Sequence, residues 1–169
     1  IVQRAGDVIP EVVSVVRAKR PPNAKPYQVP LECPICGHPT LQLQSEIIYR
    51  CNNPFCPAVV KGSLKHFVSR GAMNIESVGD KLVDLLVDQG LVLKFSDFFN
   101  LKKADLIELE RQGEKSTDKI LFNIDKSRKV TLDRLIYALG IRHVGNQTAK
   151  ALAFHFGHLK AFLETSSEE

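Results

Sequence analysis

Hydrophobic positions along this 169-residue chain change period twice. At the start they are clustered and β-branched: Ile1 to Arg4, Val8 and Ile9, then Val12 to Val16, broken by Gly6-Asp7 and Pro10. That pattern predicts short strands. Two strands alone are marginal in water, so the segment is expected to be loosely held or to rest on its neighbour. Arg20-Pro21-Pro22-Asn23-Ala24-Lys25-Pro26 reads as a linker by composition. Alternation returns where Leu41 and Leu43 flank Gln42, and Ile47, Ile48 and Tyr49 follow a Ser45-Glu46 turn, which predicts a second pair of strands.

Beyond that hairpin the period becomes 3.6. Ser63 is the expected cap of a helix with Leu64, Phe67 and Val68 inward and Gly71 at its end. A helix from Asp80 to Gln89 presents Leu82, Leu85 and Leu86 and stops at Gly90; short helices follow from Ser96 and over Ala104 to Glu110. Lys115 to Arg128 carries Ile120, Leu121 and Ile124, and Leu132 to Leu139 sits behind a Thr131 cap. Gln147 to Phe156 and Leu159 to Leu163 complete the series. The predicted class is mainly α with a small β part.

All four cysteines lie between the strands and the helices, in CPICGHPTLQLQSEIIYRCNNPFC. The spacing is C-x2-C, one hairpin length, then C-x4-C, the arithmetic of a zinc site. Two knuckles can aim four thiolates at one ion, Gly37 lets the first knuckle turn, and the predicted strands bring the knuckles together. Paired disulfides belong to small secreted domains, and nothing here reads as a signal peptide. His38 is the alternative ligand, but Cys33, Cys36, Cys51 and Cys56 already complete a tetrahedron. Four cysteines leave no open position, so the expected zinc is structural, and its net negative charge must be offset by N–H donors.

Composition adds two constraints. With 44% hydrophobic and 25% charged residues the chain is globular, and no apolar run is long enough to span a bilayer. Thiolate zinc also fits a reducing cytoplasm. The formal charge of +4 is uneven: residues 1–30 hold five basic and two acidic side chains, whereas Ser63 onward holds sixteen and fifteen. Any nucleic-acid binding by the helical part must therefore use placed groups.

Such groups recur. IESVGDKLVDLL (75–86), LERQGEKSTDKIL (109–121) and IRHVGNQTAKAL (141–152) each lead through a glycine into a helix. The glycines, Gly79, Gly113 and Gly145, are 34 and 32 residues apart, which suggests an array of like units. Glycine permits close approach, and the first turn of a helix offers unpaired N–H groups and the positive end of its dipole to an anion. Lys81, Lys115 and Lys150 follow closely, with Ser116 and Thr148 as hydroxyl donors, so phosphate is the natural ligand. A glycine between helices is otherwise only a turn; three in register favour the phosphate reading.

The cysteine quartet, LKHFVSRGAMNIESVGDKL and LIYALGIRHVGNQTAKALAFHFG, in that order, resemble the bacterial NAD⁺-dependent DNA ligases, and RAGDVIPEVV resembles the end of their oligonucleotide-binding barrel. The resemblance covers essentially the whole chain. It implies a remnant of that OB barrel over 1–20, a linker over 21–30, a four-cysteine zinc finger over 31–62 and a helix-hairpin-helix array over 63–169, cut within its fourth hairpin. It implies one structural zinc on Cys33, Cys36, Cys51 and Cys56, and hairpins that grip DNA backbone at Gly79, Gly113 and Gly145. The implied partner is nicked double-stranded DNA, with no membrane, for a monomer of the bacterial cytoplasm associated with the nucleoid. NAD⁺ and Mg²⁺ would serve the parent enzyme outside this segment. No K-x-D-G motif for the adenylated lysine occurs, so this chain is expected to be inactive alone.

The chain opens at Ile1 and closes on Ser166-Ser167-Glu168-Glu169, whose S-x-x-E spacing begins a helix, so an excised fragment is expected. The family's Gly-apolar-Gly turn also departs here. Ser77, Arg111 and His143 stand at the first glycine, residues poorly suited to positive φ, and Gln112 holds the second unit's apolar position. The second hairpin is expected mainly to pack its neighbours.

Overall fold

The computed structural model describes residues 1–6, 8–44, 46–109 and 113–165. Two compact units divide at Pro30, covering residues 1–30 and 31–169.

In the first unit β1 (Val2–Ala5) pairs antiparallel with β2 (Ile9–Val12), Val2 opposite Val12 and Ala5 opposite Ile9. The expected strand from Val12 to Val16 does not form. Val13 N–H still donates to Ile1 O at 3.0 Å, but the chain then turns into a 3-10 helix at Arg17–Lys19. Val2, Val8, Ile9, Val12, Val13, Val15 and Val16 are all exposed, because one two-stranded ribbon has no second layer to cover its faces.

The second unit begins with the cysteine lobe. Here β3 (Thr40–Gln42) pairs antiparallel with β4 (Tyr49–Cys51), Thr40 opposite Cys51. The second strand thus lies two residues later than the alternation predicts, and Ile47 and Ile48 are exposed in the turn. Position Ser45 lies outside the described residues. The shift puts Cys51 inside the ladder, where pairing fixes its direction.

Helix α1 (Pro57–Val68) starts directly after Cys56, with Pro57 at its first position, where a missing N–H costs nothing. Ser63 is therefore not its cap but an interior, exposed residue, and the helix joins the two lobes without a break. It ends at Val68, three residues before Gly71, as the Ser69 N–H turns back to His66 O. Its buried residues are Leu64, Phe67 and Val68, as the periodicity predicts. Phe67 stacks on Phe95, ring centroids 4.5 Å apart, in a 3-10 helix over Phe95–Asn100.

Helices α2 (Asp80–Asp88), α3 (Lys103–Ile107), α4 (Glu114–Lys126), α5 (Leu132–Ala138), α6 (Asn146–Phe156) and α7 (Leu159–Glu164) follow. They pair as hairpins: α1 on α2, α3 on α4, α5 on α6. Helix α2 ends with Gly90 at φ 70, whose N–H reaches Val87 O while the Leu91 N–H reaches Leu86 O. This closure takes up carbonyls the helix leaves free. Thr131 precedes α5, but its side chain makes no capping hydrogen bond. Leu82, Val83, Leu86, Ile120, Ile124 and Phe98 anchor a core shared by the first two hairpins. The third joins the same core through buried Ala138 of α5 and is tied by backbone acceptors: Arg134 donates to Arg70 O and Ala72 O, and His66 Nε2 lies 2.8 Å from Tyr137 O. The helix start expected at Ser166 and Glu169 lies outside the described residues.

Candidate metal centre and nucleic-acid interface

The four cysteine sulfurs all lie within 4.8 Å of one another, and no disulfide joins them. Cys33 and Cys56 Sγ are 3.9 Å apart, Cys36 and Cys51 3.5 Å. A tetrahedron with Zn–S of about 2.3 Å requires sulfurs about 3.8 Å apart, so the donor set fits. Cys33 and Cys56 are buried; Cys36 and Cys51 are half-buried. Each knuckle is shaped by its own backbone: Gly37 N–H donates to Cys33 O, Cys33 N–H to His38 O, and Phe55 N–H to the Asn53 carboxamide. Gly37 takes φ 71, as the turn requires.

The expected N–H donors are present. Asn53 N–H donates to Cys51 Sγ at 3.4 Å. The His38 N–H, opposed by desolvation, brings the Cys36 thiol down to about 7, and the Ile35 and Cys36 N–H groups lower Cys33. At Cys51 the Asn53 N–H also favours the thiolate, but burial and the three neighbouring thiols outweigh it and push the group up to about 12. Four sulfurs this close cannot all ionise unaided. A divalent cation supplies that missing charge and ties the lobe together. His38 turns its Nδ1 toward Cys36 O at 3.3 Å, away from any ligand role.

The three repeat glycines all sit at helix N-caps with extended backbone: Gly79 (φ −93), Gly113 (φ −82) and Gly145 (φ −83). Each carbonyl accepts the first helical hydrogen bond, from Val83, Thr117 and Ala149 N–H. The N-cap residues of α2, α4 and α6 are glycines and so supply no capping side chain of their own. All three glycines are exposed, as are Lys81, Lys115, Ser116, Thr148 and Lys150. No ion pair to a described residue holds those lysines.

A Cβ built on Gly79, Gly113 or Gly145 would meet no atom within 4 Å. Their φ values suit any residue, and Ser, Asp or Asn would cap these helices better. Among the described residues, no neighbouring atom calls for glycine at these sites.

The first and third turns share one geometry. Ser77 and His143 adopt φ 68 and 65, and Val78 and Val144 N–H donate to Ile75 O and Ile141 O. Both first positions adopt the positive φ that their residue types disfavour, so the turn imposes it on them. At Ser77 the Asn123 amide holds the turn, donating to Glu76 O and to Ser77 Oγ. Arg111 and Gln112 of the second turn lie outside the described residues. Periodicity and spacing do not single out Asn123, since its partners lie 46 and 47 residues away along the chain.

A four-cysteine lobe running directly into glycine-capped helical hairpins defines the class as a zinc finger joined to helix-hairpin-helix units. Comparison with known families agrees: the NAD-dependent DNA ligase C4 zinc finger domain matches residues 32–58, and the helix-hairpin-helix motif matches 134–169. The chain is 55% identical to a DNA ligase of Bdellovibrio bacteriovorus, covering all of this chain and 25% of the relative. It is 48% identical to a DNA ligase of Alkalilimnicola ehrlichii (96% and 24% covered) and 43% identical to that of Bacillus subtilis (100% and 25%). In sequence it matches a segment of these DNA ligases, spanning about a quarter of their length, and it carries the C4 zinc finger domain of the NAD-dependent ones.

Proposed function

We propose that this chain serves a DNA ligase by gripping the phosphate backbone of duplex DNA around a nick. The observation that carries the reading is the set of open glycine N-caps. Gly79, Gly113 and Gly145 leave clear approach to helix N-termini whose N-cap residues carry no capping side chain, with Lys81, Lys115 and Lys150 exposed beside them. Oriented N–H groups and a helix dipole bind a phosphate oxygen without reading a base. Cys33, Cys36, Cys51 and Cys56 hold one zinc that stiffens the lobe entering α1. The exposed ribbon of residues 1–20 is the edge of an oligonucleotide-binding barrel, and the parent enzyme supplies the NAD⁺- and Mg²⁺-dependent sealing chemistry of replication and repair. Without K-x-D-G the chain itself seals nothing. Among the described residues no helix is long and apolar enough to cross a membrane.

The test is an anisotropy titration of the zinc-loaded chain against nicked, intact and single-stranded DNA at two salt concentrations. The reading expects duplex binding that ignores sequence and weakens with salt, by a log–log slope near about −0.9 for each phosphate contacted. Absence of duplex binding at low salt would overturn it for the isolated chain.

A further inference from the structure

The two matching turns are held by different devices. Ile75-Glu76-Ser77-Val78-Gly79 is pinned from within by Asn123. The equivalent Ile141-Arg142-His143-Val144-Gly145 has no such internal pin among the described residues. Instead, Arg142 Nη2 pairs with Glu46 Oε1, across from the cysteine lobe. Glu46 is well fixed there. Its N–H donates to Leu43 O at 2.9 Å, Gln42 Nε2 donates to its carbonyl at 3.0 Å, and Arg50 Nε reaches its Oε2 at 3.4 Å. Its side chain is only 19% exposed, and the ladder that carries its turn includes Cys51.

We infer that Glu46 is a positioning residue: it fixes the phosphate-facing turn of the third hairpin through Arg142. The inference rests on the proposed DNA reading for its consequence, but not for its geometry. Gly145 lies three residues beyond Arg142, and left-handed His143 stands between them. A turn held in a costly conformation needs an outside constraint, which a fixed carboxylate supplies. Charge alone would give the opposite sign, since removing an acid beside an arginine should strengthen phosphate binding.

The experiment uses the zinc-loaded chain with Glu46→Gln, with zinc content measured, and with Arg142→Gln as a second variant that leaves the cysteine lobe intact. Amide hydrogen exchange over 141–149 is expected to accelerate about two- to fivefold in both, on the scale of one part-exposed ion pair, while 75–83 stays unchanged. Duplex affinity should fall with Glu46→Gln by a similar factor. Unchanged exchange in Arg142→Gln overturns the inference, as does a rise in affinity with Glu46→Gln, which would make Glu46 a competitor of phosphate. If the unmodified chain fails to bind duplex DNA, the functional reading falls while the exchange data still decide the positioning role.

Discussion

Replacing Gly145 by aspartate should move stability and DNA affinity in opposite directions. Gly145 is the exposed N-cap of α6 at φ −83, and a Cβ there meets nothing within 4 Å. Aspartate is among the best N-caps, and its charge favours the positive end of the helix, so α6 should be unchanged or stabilised by up to about 1 kcal/mol. A phosphate approaching the same N–H groups would meet a carboxylate at roughly 6 Å. With an effective dielectric between about 80 and 20, that repulsion is about 0.7–3 kcal/mol, or roughly three- to hundredfold in Kd. Gly145→Ser adds bulk without charge and should lose less. Thermal melting and anisotropy on the same samples provide the measurement. Unchanged affinity with a raised melting temperature would refute the phosphate role of this turn, and a large loss of stability would refute the open-space argument.

Four further outcomes follow from the geometry. A zinc chelator should unfold the cysteine lobe and fray α1 at its Pro57 end while leaving the core from Leu64 onward, giving a separate low-temperature transition; an unaltered melt would remove the structural role of the metal. Asn123→Ala, which strips the amide from Glu76 O and Ser77 Oγ, should cost about 1–3 kcal/mol and speed exchange at Val78, and a cost near zero in denaturant unfolding would count against the pin. His143→Gly should stabilise by about 0.5–1 kcal/mol by relieving a left-handed side chain, and a loss of stability would mean the histidine has a binding role within the fold. Acidification should release zinc. Protons compete with the metal for the thiolates, and the lowered Cys36 thiol contributes stability that is lost as pH falls through about 7, while Cys51, raised to about 12, acts in the opposite sense until a cation holds it as thiolate; release on raising the pH from about 7 to 9 would contradict this.

The metal centre was legible in the sequence because its ligands are local: two knuckles and a hairpin bring Cys33, Cys36, Cys51 and Cys56 to one point with little help from the rest of the chain. The helices were legible for a similar reason, since Leu64, Phe67, Leu82, Leu86, Ile120 and Ile124 repeat at 3.6 and are buried as that period requires. Boundaries followed competing local rules. Ser63 looks like a cap, but Pro57 after Cys56 starts the helix earlier, and β4 moves two residues to bring Cys51 into the ladder. What tertiary structure alone decided is how the turns are held. Ser77 and His143 enter left-handed geometry that their side chains disfavour, because the surrounding turn dictates it. Asn123 and Glu46, 46 and 96 residues from Ser77 and Arg142, supply constraints that no periodicity or spacing encodes. Glycine at Gly79, Gly113 and Gly145 is visible in the sequence, but only the fold shows that a Cβ on each would meet nothing within 4 Å among the described residues.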